Sequence, residues 1–100
     1  GDGEPAEYSV TLAKGAVKRL GADVDPQGDV LQILEILDDG LIQAWNEAHL
    51  DRQVRVLDQI VRVNDVEGCV RAMAEECKRA KLLTLTLRRT MSVWVGETFK

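Results

Sequence analysis

Leu83, Leu85 and Leu87 alternate with Thr84 and Thr86 in the run Leu82-Leu83-Thr84-Leu85-Thr86-Leu87-Arg88-Arg89. A period of two is the side-chain repeat of a strand, whereas a helix would spread those leucines around its circumference. One face of the strand is leucine and the other is hydroxyl. It therefore belongs to a sheet with one face on a core and one in water, which favours antiparallel pairing. Whatever the rest of the chain does, it must cover those leucines. It has 100 residues in all, enough for one domain.

Four more segments predict strands. In residues 8–14, Tyr8, Val10 and Leu12 share a face, which makes a half-buried strand. A basic, Gly-containing turn follows over residues 15–19. Residues 20–24 alternate again, with Leu20, Ala22 and Val24 together, before the turn signal Asp25-Pro26-Gln27-Gly28-Asp29. Residues 30–36 predict a third, mostly buried strand, closed by Asp38-Asp39-Gly40. Residues 54–63 predict a pair of strands around one tight turn.

Two segments change to helical spacing. Leu41, Ile42, Trp45 and Ala48 fall on one side of a short helix that Asp38 or Asp39 can cap, with Trp45 in the core. After Gly68, residues 69–80 predict a second helix with Val70, Met73, Ala74 and Cys77 at i, i+3, i+4 and i+7. Lys78, Arg79 and Lys81 at its end suit the helix dipole.

The expected fold is therefore mainly β within the α+β class. It is a small antiparallel sandwich or partly open barrel of five or six strands with two helices. Residues 1–7 are expected to be a disordered lead-in or the cut edge of an expressed fragment, residues 8–89 the domain. Residues 90–100 are a C-terminal extension or the start of a following module. The Val93-Trp94-Val95 run within them reads as an added strand, as the beginning of a further module, or as a segment that occupies a neighbour's groove.

Composition narrows the function classes. Hydrophobic residues make up 45% of the chain, enough for a core. Only Tyr8, Trp45, Trp94 and Phe99 are aromatic, so that core must be Leu, Ile and Val. A net charge of −4 gives no basic excess to argue for nucleic acid, although Lys14, Lys18 and Arg19 come close together. No apolar run approaches the ~20 residues of a membrane span. Cys69 and Cys77 lie eight apart on one predicted helix, a rise of about 12 Å, against the roughly 7 Å limit for disulfide Cα atoms. A reducing, cytoplasmic setting is expected. The lone His49 has neither triad nor metal-ligand spacing around it and reads as a loop residue. Phosphate-loop, dinucleotide, paired-carboxylate and calcium-loop patterns are missing, so neither enzyme chemistry, nor a metal, nor a cofactor is expected.

The order of elements, with Val54-Arg55-Val56-Leu57-Asp58-Gln59-Ile60-Val61-Arg62-Val63-Asn64-Asp65 between the helices, resembles a PDZ domain. The family's internal motif is roughly Leu-x-x-Gly-Asp-x-Ile-x-x-Val-Asn-Gly. Asp58, Ile60, Val63 and Asn64 match it. Leu57 and Asp65 stand where the family has glycines, and Leu57 puts a bulky side chain at a turn that calls for a positive φ. Arg19-Leu20-Gly21-Ala22 is similar to the family's carboxylate-binding loop, with Arg19 in place of a glycine. Lys14 ends the first strand where the family's basic residue lies. The resemblance covers residues 8–89, in the arrangement with the carboxylate loop early and the groove helix late.

The resemblance implies a module that binds the C-terminal tail of another protein by β-strand addition. The amides of Leu20, Gly21 and Ala22 would take the terminal carboxylate, with charge from Lys14, Lys18 or Arg19. The tail would lie along Ala22, Asp23 and Val24. Its last side chain would enter a roomy pocket of Leu20, Ala22, Val24, Met73, Ala74 and Cys77. Val70, at the start of the groove helix, can neither donate nor accept a hydrogen bond, so an apolar residue is expected two places before the ligand's end. The alternatives are a structural repeat of the same fold with a degenerate groove, or a regulatory domain of a larger enzyme.

Overall fold

Leu83, Leu85 and Leu87 are all fully buried, on a strand with neighbours on both sides. The fold is that of a computed structural model, which describes residues 6–89. In chain order the elements are β1 (Ala6–Ala13), β2 (Ala22–Gln27), β3 (Val30–Ile36) and α1 (Leu41–Ala48). They continue with β4 (Gln59–Val63), β5 (Val66–Glu67), α2 (Val70–Arg79) and β6 (Leu82–Arg89). The six strands form one antiparallel sheet in the order β1-β6-β4-β3-β2, with the short β5 on β4. It is not closed into a barrel. Residues 1–5 and 90–100, including the Val93–Val95 run, lie outside the described residues.

The core follows the alternation. Val10 and Leu12 of β1, Leu31 and Ile33 of β3 and the three leucines of β6 are buried at alternate positions, and Ile60 and Val63 of β4, three apart, are both buried across a register shift between Ile60 and Arg62. Leu41 and Ile42 of α1, Met73 of α2 and the loop residue Val54 cover them. Each fully buried Leu or Ile contributes roughly 1.5–3 kcal/mol of transfer free energy. β6 pairs along its whole length with β1, from Ala6 opposite Arg89 to Ala13 opposite Leu82. That long ladder places the end of β1 beside the end of α2.

Several boundaries differ from the sequence reading. β1 begins at Ala6, inside the expected lead-in. β2 runs through Asp25, Pro26 and Gln27, and only Gly28–Asp29 make the turn, with Gly28 at φ +64. A two-residue hairpin needs that positive φ, and Pro26 is tolerated because β2 is an edge strand. Residues 54–58 are not a strand. Val54 is a buried loop anchor and Val56 is half exposed to water. The second limb of the expected pair is real, but β4 pairs instead with β5 across Asn64–Asp65. Neither Asp38 nor Asp39 caps α1. Its first amides, Leu41 and Ile42, donate to the carbonyls of Arg19 and Leu20 at 3.0 and 3.1 Å. On α1, Asn46 is buried in place of Ala48, and its amide group clamps the Val54 backbone in both directions. Trp45 is only half-buried: its indole N–H donates to the Arg52 carbonyl and its ring stacks on His49, which ends the helix.

Candidate functional site

Residues 19–21 are held by their carbonyls. Arg19 and Leu20 accept from the first amides of α1, and Gly21 accepts from Leu37 at 2.9 Å. With those oxygens turned inward, the Leu20 and Gly21 amides donate to no acceptor among the described residues. Gly21 has φ +80, a conformation that costs a side-chain-bearing residue about 1–2 kcal/mol. It also lies on Gly40. A Cβ on Gly21 would collide with the Gly40 Cα and come within 3.0 Å of its nitrogen. A Cβ on Gly40 would come within 2.7 Å of the Leu20 oxygen. The two glycines let the loop and the start of α1 touch backbone to backbone.

Leu20 and Cys77 line one cleft of about 710 Å3, together with Lys14, Gly15, Lys18, Arg19 and the chain from Lys78 to Lys81. Of the expected site residues, the structure thus gathers Lys14, Arg19, Leu20 and Cys77. Gly21 is buried behind them. Ala22, Asp23 and Val24 lie along the edge strand β2, with Asp23 and Val24 exposed. Val70 is the first residue of α2, and Val70 and Ala74 are half-buried. Met73 is wholly inside the core, so it can form only the floor of any groove.

Two of the basic groups, Lys14 and Arg19, have defined partners. The Lys14 ammonium donates to the carbonyls of Cys77 and Lys78 and so caps the C-terminus of α2. Its backbone N–H donates to the Lys81 carbonyl at 2.9 Å. Arg19 pairs with Asp39 on the surface. Burial pushes the Cys77 thiol above its ordinary pKa, which keeps it protonated and poorly nucleophilic. Both cysteines are free.

A second polar cluster escaped the sequence reading. Asp58 is 2% exposed and receives a fork from Arg89, Nε at 2.9 Å on one oxygen and a terminal nitrogen at 2.8 Å on the other. The Tyr8 hydroxyl and the Arg55 amide also donate to it. Burial, and then the neighbouring carboxylate, push the Tyr8 phenol well above its ordinary range. Tyr8 and Asp58 are separated by 50 residues, so no local pattern joins them. The only sequence signal was a polar Asp inside an apolar motif. The cluster ties β1, β6 and the turn before β4 together, and its groups are all engaged with one another.

Among the described residues, no group of His, Cys, Asp and Glu side chains could hold a metal ion, and no helix is long and apolar enough to cross a membrane. Compared with known protein-family models and with curated proteins, the chain matches none.

Proposed function

We propose that this domain is a PDZ-like module that captures the C-terminal tail of another protein. The tail adds as a strand on the open edge of β2, and its terminal carboxylate sits at the Leu20–Gly21 amides. The observation that carries this reading is the loop before β2, whose carbonyls are spent on α1 and Leu37 while two amides are left without an acceptor among the described residues. Backbone donors in a glycine turn suit an anion, and Leu20 lines the cleft. The edge position of β2 supports strand addition. Pro26 has no N–H, so the readable stretch of the edge is Ala22–Asp25. Val70 at the start of α2 favours an apolar residue two places before the ligand's end.

A degenerate groove on the same fold is the competing reading, and the complete burial of Met73 favours it by leaving that side chain no surface to offer a ligand. Fluorescence polarisation with C-terminal peptides, each with a free and an amidated end, separates the two. Peptide capture requires that amidation abolish binding; equal binding of both forms rules out carboxylate recognition. Val70→His should then move the preference toward Ser or Thr two places before the end.

A further inference from the structure

The cleft beside Leu20 is more cationic than one carboxylate requires. Six of the chain's 13 lysines and arginines line it (Lys14, Lys18, Arg19, Lys78, Arg79 and Lys81) and no acidic residue does, in a chain of net charge −4. The dipole of α2 accounts for cations in its last turn. It does not account for Lys18 and Arg19, which arrive on a separate loop brought alongside by the Lys14–Lys81 backbone bond. Lys14 is occupied by the helix carbonyls. Arg19 and Arg79 are in ion pairs with both arginine side chains exposed, and such pairs hold weakly. Lys18, Lys78 and Lys81 are exposed and form no salt bridge among the described residues.

A second observation concerns apolar side chains next to two of these lysines in the chain. Val17 is 40% exposed and Leu82 is 57% exposed, each directly beside a cleft lysine in sequence, Lys18 and Lys81. An acidic peptide would use the lysines but would leave these apolar side chains in water. A bilayer uses both, because cations meet headgroup phosphates while apolar side chains enter the boundary with the acyl chains.

We propose that this end of the domain adsorbs to anionic lipid bilayers. A headgroup phosphate occupies the cleft between the 15–19 loop and the C-terminus of α2, and Val17 and Leu82 dip into the interface. The proposal does not depend on peptide capture, which is measured without lipid.

The test is co-sedimentation of the full chain with vesicles of phosphatidylcholine alone or mixed with phosphatidylserine and phosphatidylinositol bisphosphate. Binding is expected only to the anionic vesicles and should weaken as salt rises. Each of Lys18→Gln, Lys78→Gln and Lys81→Gln should weaken it about fivefold, and the triple variant on the order of a hundredfold. Val17→Ser with Leu82→Ser should weaken vesicle binding while leaving binding of soluble inositol hexakisphosphate unchanged. Thermal melts of each variant confirm that it is folded. Equal binding to both vesicle types overturns the proposal, as does full binding by the folded triple variant. Unaltered vesicle binding by the Val17/Leu82 variant overturns the insertion of these two side chains and leaves adsorption to the lysines alone. Binding of an acidic peptide without binding of anionic vesicles reassigns it to a protein partner.

Discussion

Gly21 and Leu57 occupy the same corner of backbone space, at φ +80 and φ 79, yet one is glycine and the other a branched, bulky residue. Their surroundings explain the difference. At Gly21 the space for a Cβ is filled by the backbone of Gly40, so nothing but glycine fits. At Leu57 the side chain emerges at 38% exposure, so only the intrinsic cost of the conformation remains. That cost is offset locally. The Leu57 amide donates to the Ile33 carbonyl at 2.7 Å, the Ile33 amide donates back to Asp58, and Asp58 is anchored by Arg89 and Tyr8. A positive φ is thus forbidding where backbone crowds it and affordable where hydrogen bonds lock the turn in open space.

The largest effect is expected at the crowded site. Gly21→Ala adds backbone strain to a collision that neither chain can relieve, and should cost about 3 kcal/mol or more in denaturant unfolding. Gly40→Ala isolates the collision, because Gly40 has an ordinary φ of −104. It should cost about 2 kcal/mol, less than Gly21→Ala. If both glycines accept alanine without loss, the close approach is not what selects them. At the open site, Asp58→Asn removes the charge that Arg89 and Tyr8 surround; it should cost about 2 kcal/mol, discounted because Arg89 is one-third exposed. Leu57→Gly runs the other way. Relief of the left-handed cost, less the added freedom of the unfolded chain, should stabilise by about 0.5–1 kcal/mol, a melting shift of roughly 2–8 °C.

Asn64, at φ 54, adds a third, intermediate case. Asparagine adopts this conformation more readily than leucine, and here its side chain bonds to the Thr84 amide, the Leu82 carbonyl and Glu76. Those bonds, first from Asn64 and then from Arg79, hold the Glu76 carboxyl below the ordinary glutamate range. A lowered folded-state pKa means a contribution fully present above the ordinary value of 4.5 and lost as pH falls through the folded value. Acid unfolding of Glu76→Gln should therefore be flatter below about pH 4.5 than that of the parent. This is the smallest of the expected effects.

The sequence made the elements with strict periods legible. The β6 leucines and the bounds of β3 were readable from local sequence and lie where it puts them, and α2, expected over residues 69–80, runs from Val70 to Arg79. What escaped was decided by partners distant in sequence. Val54 and Val56 alternate like a strand, but the Asn46 clamp and the Asp58 turn hold that segment as a loop. Asp25-Pro26-Gln27 has turn composition, yet pairing with β3 makes it strand. The glycine of the 19–21 loop was readable, whereas its contact with Gly40 was not, being a backbone approach between residues that carry no pattern. The cleft lysines look local to two separate segments until the β1–β6 register brings them to one end.

Pro26 has a consequence for how the molecule behaves in a crowd. An uncovered sheet edge is a template on which identical chains can stack without limit, and a flat edge of ordinary residues would invite it. Proline interrupts that template after four residues, roughly 13 Å of strand. The register shift at Asp23/Val24 distorts what is left. The β2 edge therefore offers a second copy of the strand only a short and distorted stretch, whereas β1, at the other edge, has no proline between Ala6 and Ala13.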